Sequence, residues 1–172
     1  MKKVYIISKL GYWITQILTG FYILIVVYAA FVLGFKNSAL SIIDNGERFQ
    51  IFFPFTKQPF LLGFYNALYI LVRFFLVMIC YGAFFWLLSR VFDVFTKEKL
   101  FTQKAYQRLR RFYIINLCAP IVLLVLFHFL FSVDKGDTMI VFLHMLLGIF
   151  IFFLAAIFKK GLTLQENQDL II

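Results

Sequence analysis

Charge is scarce in this sequence, and negative charge scarcest. Of 172 residues 15% are charged, Asp and Glu together number 8, and none of those 8 falls inside a long apolar run. Soluble domains carry about 25% charged residues, so a water-soluble globule of this size could not hide the apolar surface that remains. The lack of acids within the apolar runs argues against a proton- or cation-coupled transporter, which keeps an acidic relay in the bilayer. Two cysteines exclude a disulfide scaffold. Cys80 and Cys118 both lie in apolar runs and read as small apolar fillers. There is no Gly-rich phosphate loop, no Ser/His/Asp or Cys/His constellation and no internal repeat. The expectation is a protein that is not an enzyme and holds no cofactor and no metal.

Apolar residues are what the chain does have, at 63% with 25 Phe. They form four runs, at about 11–33, 60–88, 112–131 and 139–158, each reaching the roughly 20 residues that cross a bilayer as a helix. Met1-Lys2-Lys3 looks like the start of a signal peptide, but no charge appears for 26 residues between Lys9 and Lys36. Secretory apolar cores are only about 7–15 residues long, so the first run is expected to be an uncleaved span. The fold class expected is an all-α integral membrane protein, a four-helix transmembrane bundle forming a single membrane domain.

Charge asymmetry sets the orientation. Twelve Lys and Arg lie at the N-terminus, between runs two and three, and after run four, against four (Lys36, Arg48, Lys57 and Lys135) on the other side. Lys and Arg resist translocation. Both termini are therefore expected in the cytoplasm, with residues 36–59 as an outer loop. The net charge of +9 follows from the same rule and from anionic lipid headgroups, so no nucleic-acid partner is implied. Within the outer loop, Asp44-Asn45-Gly46 signals a turn. The alternation Arg48-Phe49-Gln50-Ile51-Phe52 predicts a strand paired with 39–43, a small hairpin-like outer cap between spans one and two.

Few polar residues stand inside the spans. Asn66, Tyr69 and Arg73 share a helix face on span two. Either they line a cavity or bind an anion, or Arg73 snorkels outward toward the cap. His128 and His144 are expected at similar depth on adjacent helices, near Asp134 and Asp137, which raises a shared metal or proton. Two His alone make an incomplete zinc site. Gly11, Thr15 and Thr19, and Gly63 with Ala67, have the small-residue spacing of helix-packing seams.

On the inner side, residues 93–111 are amphipathic. Thr102 is the expected N-cap of a helix entering span three. Phe101, Ala105, Leu109 and Phe112 share one face; Lys104, Arg108 and Arg111 share another. The default for such a basic helix is contact with anionic headgroups. The tail, 159–172, is too apolar for a solvated end and packs either on its own bundle or on a partner.

The run Lys99-Leu100-Phe101-Thr102, then Arg108-Leu109-Arg110-Arg111 entering a span, resembles the DUF2975 family of bacterial four-span membrane proteins. So does the end, Phe158-Lys159-Lys160-Gly161, Leu164-Gln165-Glu166 and Gln168-Asp169-Leu170-Ile171-Ile172. The resemblance implies a bacterial cytoplasmic membrane location and, as a partner, a cytoplasmic helix-turn-helix transcription regulator that the membrane protein holds or senses for. On this reading Lys104, Arg108, Arg110, Arg111, Glu166 and Asp169 are the inner contact residues, and Asn66, Tyr69 and Arg73 the intramembrane polar site. Three other readings stay open: a small transporter or channel lined by Asn66, Tyr69, Arg73 and Asn116, a metal-binding redox subunit using His128 and His144, and an accessory subunit of a larger assembly. A homo-oligomer fits any of them.

Overall fold

The computed structural model describes residues 2–169, with side chains to Asn167. The protein is an all-α integral membrane protein whose four long helices are each apolar enough to cross a bilayer. In order they are α1 (Lys2–Phe35), α2 (Val77–Val94, led in by a π-helical segment, Tyr69–Leu76), α3 (Gln103–Leu130) and α4 (Lys135–Asp169). A three-stranded antiparallel sheet, β1 (Leu40–Ile43), β2 (Arg48–Phe52) and β3 (Pro59–Phe64), lies between α1 and α2 in the chain, in the order β1-β2-β3. The chain forms two compact units, Met1–Gln16 with Trp86–Ile172, and Ile17–Phe85.

The third strand corrects the expected start of span two at residue 60. Phe-Leu-Leu-Gly-Phe reads as the opening of a membrane helix by composition. Its backbone instead pairs with β2, Gln50 opposite Leu62 and Phe49 opposite Gly63. Gly63 is consequently no helix seam. Phe49 lies across it so closely that a Cβ there would stand 2.6 Å from the ring, the close approach that Gly in a strand often marks. The expected β1–β2 hairpin is present, with the left-handed backbone of Asn45 in its turn.

In the Ile17–Phe85 unit the core is formed where β2 meets α1. Alternation along β2 turns Phe49 and Ile51 inward, and both are fully buried with Ala29 and Val32 of α1. Phe74 of the π-helical segment meets Phe49 edge-on, ring centroids 5.9 Å apart. Small residues on α1 let the sheet approach.

In the other unit α3 and α4 run antiparallel. Contacts mark their register: Phe101 on Phe158, Tyr113 on Phe152 and Asn116 on His144. Two glycines on α4 let α3 and the turn before it come close. A Cβ at Gly148 would stand 2.5 Å from Leu117, and one at Gly161 2.5 Å from the Phe101 ring. Gly11 of α1 lies against Phe92 of α2 in the same way. Thr15 is buried on α1 and returns its hydroxyl to the Gly11 carbonyl at 2.7 Å.

Candidate functional site

The turn from α2 to α3 carries the densest polar chemistry. Thr102 caps α3, its hydroxyl accepting from the Ala105 N–H at 3.2 Å. Ala105, Leu109 and Phe112 are buried, as the amphipathic pattern predicts. Phe95, at the start of the same turn, and Phe101 both meet Phe158 of α4 edge-on.

Asp93 is the residue that sequence reasoning passed over. It stands at the end of α2 and pairs with Arg108, with Lys97 at 3.0 Å and with the Thr96 hydroxyl at 3.2 Å. The Asp93 and Arg108 side chains are 18% and 19% exposed, so this pair is largely shielded from water. One signal was present in the sequence: a lone acid four residues before Lys97, in helical spacing. The consequence is that the expected row Lys104, Arg108, Arg111 divides. Arg108 ties α3 to α2. Lys104, Arg110 and Arg111 are exposed, as are Lys159 and Lys160 on α4.

After Phe158, α4 continues without a break to Asp169. The tail is thus helical over its described length, with Leu164 56% exposed and Glu166 exposed. The side chain of Asp169 and residues 170–172 lie outside the described residues.

Asn66 is exposed, and its side-chain oxygen accepts from the N–H groups of Leu68 and Tyr69 at 2.9 and 3.3 Å. That is a helix-capping role, which accounts for a polar residue at this point without a cavity. Tyr69 meets Phe64 of β3 edge-on at 5.1 Å, and Arg48 lies over the Phe64 ring, 5.4 Å from its centroid. Arg73 sits half-buried in the π-helical segment. Nearby, an open apolar groove of about 490 Å³ runs between Ala30, Leu33 and Gly34 of α1 and Ala67, Ile70 and Phe75.

His128 and His144 are not at similar depth. His144 shares two contacts with Asn116: its Nδ1 stands 2.7 Å from Asn116 Oδ1, and Asn116 Nδ2 donates to the His144 carbonyl at 2.7 Å. His128 is twelve residues further along α3 than Asn116, about 18 Å at 1.5 Å per residue. Two ligands of one zinc at about 2 Å each cannot span that. The expectation failed because α4 begins at Lys135, four residues before the apolar run, which puts His144 deeper. Asp134 and Asp137 are occupied in starting that helix. The Asp137 N–H donates to Asp134 Oδ1 at 2.9 Å and the Asp134 N–H to Asp137 Oδ2 at 3.2 Å, a reciprocal capping box. Among the described residues no three His, Cys, Asp or Glu are grouped to hold a metal. Cys80 is half-buried and Cys118 exposed on α3.

Four spans with a small sheet between the first two define a multi-pass membrane protein. The chain matches, over residues 4–172, the family described as protein of unknown function, DUF2975, and it belongs to that family. No curated protein and no solved structure matches it.

Proposed function

We propose that this protein is a membrane-embedded interaction protein of the bacterial cytoplasmic membrane, without catalytic activity, that holds a small cytoplasmic helix-turn-helix regulator. The observation that carries the reading is the end of α4. A span that only crossed the bilayer would stop near Phe158, yet the helix runs about 16 Å further at 1.5 Å per residue. It carries Leu164 and Glu166, both exposed, beyond the exposed Lys159 and Lys160, and the exposed cations Lys104, Arg110 and Arg111 stand on α3. A helical surface that mixes cations, an acid and an exposed Leu suits a folded protein partner; cations alone would suit headgroups only. The charge asymmetry supports placing this end in the cytoplasm, with anionic lipids around its basic rim.

The test is affinity purification of the tagged full-length chain in mild detergent, with identification of what co-purifies. A helix-turn-helix regulator should be recovered. It should be lost when residues after Gly161 are removed, and when Lys104, Arg110 and Arg111 are together changed to Glu. Arg108 should be left intact in that variant, because its charge holds the fold. Recovery of the regulator with both variants would reject this surface. Failure to recover one with the unaltered chain would reject the reading.

A further inference from the structure

The β2–β3 turn is built against the usual rules for turns. Phe53 to Thr56 close a four-residue turn, the Thr56 N–H donating to the Phe53 carbonyl at 3.1 Å. Pro54 holds its second position. The third has positive φ, 62°, and is Phe55. A turn with Pro second and a left-handed third residue ordinarily places Gly or Asn there; a bulky residue in that region is an outlier. Phe55 gains no packing in return, since it is 107% exposed. Phe53, 43% exposed, stands beside it, and Lys57 is exposed two residues on. A strained, fully exposed aromatic within Phe-Phe-Pro-Phe-Thr-Lys requires something apolar outside the protein.

The depth of the turn says what that is. The Tyr28 hydroxyl of α1 donates to the Phe52 carbonyl at 2.7 Å, and its ring lies 6.3 Å from that of Phe60, on which Phe53 packs at 4.4 Å. Helical side chains lean toward the helix N-terminus. The base of the turn therefore lies at the level of Tyr28 or further from the end of α1, not beyond Phe35. A crossing of about 20 residues, placed anywhere in the uncharged stretch between Lys9 and Lys36, includes residues 16–29. Tyr28 is thus within the apolar layer or at its edge, and the turn is beside it.

The backbone of the turn suits that depth, where unpaired polar groups are costly. The Phe52 carbonyl accepts from Tyr28. The Phe53 N–H donates to the Gln58 carbonyl at 3.0 Å, and the Gln58 N–H to the Thr56 hydroxyl at 3.2 Å. Pro54 has no N–H to satisfy.

We propose that the β2–β3 turn is a membrane-interface anchor. Phe53 and Phe55 insert at the headgroup–acyl boundary of the leaflet that surrounds the end of α1, and Lys57 reaches the lipid phosphates. Aromatic residues favour that boundary, and Lys supplies its charge to headgroups. The sheet is then fastened to the bilayer as well as to α1, and the ligand class of the turn is the phospholipid surface.

The test uses the full chain with Cys80 and Cys118 replaced by Ala, reconstituted in phosphatidylcholine–phosphatidylglycerol vesicles. A nitroxide is attached at Phe55→Cys, or at Glu47→Cys at the other end of β2. Accessibility to oxygen and to a water-soluble nickel chelate is compared. The label at 55 should be at least several-fold more accessible to oxygen relative to nickel than the label at 47. Equal, water-like accessibility at both sites would overturn the proposal. The unaltered chain offers an independent reading by photolabelling with phosphatidylcholine bearing a carbene precursor near the top of its acyl chain. Adducts on residues 53–57 are expected. Adducts on α1 with none on the turn would overturn the anchor.

Discussion

At the residue scale, Arg108 and Lys104 look interchangeable in the sequence and differ in the fold. Arg108→Ala leaves the Asp93 carboxylate with only Lys97 and the Thr96 hydroxyl in a largely shielded place. A loss of about 1–3 kcal/mol is expected for a group left short of partners. Asp93→Ala with Arg108→Ala together should cost less than Arg108→Ala alone, because no charge is then stranded. Lys104→Ala should change stability by no more than about 0.5 kcal/mol, as exposed sites do. Thermal unfolding of the three proteins in one detergent decides this, and equal effects of Arg108→Ala and Lys104→Ala would refute the internal role of Arg108. Phe55 makes the opposite case. Phe55→Gly removes left-handed strain worth roughly 1–2 kcal/mol, offset by about 0.5–1 kcal/mol of glycine entropy. In detergent the variant should be slightly more stable than the parent, and a clear drop in Tm would show that Phe55 packs on something.

At the element scale, α3 and α4 depend on glycine. Gly161→Ala sets a methyl against the Phe101 ring, and overpacking of this kind costs about 1–3 kcal/mol. Phe101→Leu combined with it should recover part of the loss; no recovery would mean that the clash lies elsewhere. Asn116→Ala should cost about 0.6–1.7 kcal/mol, the range for hydrogen bonds between membrane helices. Elements were unevenly legible. The four spans follow from run length, and the α3 start from Thr102 before an apolar stripe. The β1–β2 turn follows from Asp-Asn-Gly. The third strand was hidden because Phe60 to Phe64 carries the composition of a span and the pairing of a sheet, and only the partner strand distinguishes them. The Asn116–His144 contact was hidden for a different reason. Depth along a helix depends on its first residue, and Asp134 and Asp137, polar and outside the apolar run, move that start by a full turn.

At the scale of the whole molecule, the proposed orientation can be checked directly. Single cysteines at Glu47 and at Lys160, both exposed, should behave oppositely in intact cells lacking Cys80 and Cys118. A membrane-impermeant maleimide should label position 47 at once and position 160 only after permeabilisation. The reverse pattern would invert the protein and place the basic end outside, contrary to the rule that keeps Lys and Arg in the cytoplasm.

The unbroken passage of α4 from bilayer to tail makes azimuth a functional variable. Each residue turns the helix by about 100°, so the direction in which Leu164 points is geared to the rotation of the span itself. One alanine inserted after Gly161 would swing that face a quarter-turn or more out of line. Four inserted alanines would leave it within about 40° of its original heading, displaced by about 6 Å. A partner that reads the tail as a fixed vane should therefore be lost with the first insertion and regained with the second. The tail would then report small rotations of the membrane helix to that partner.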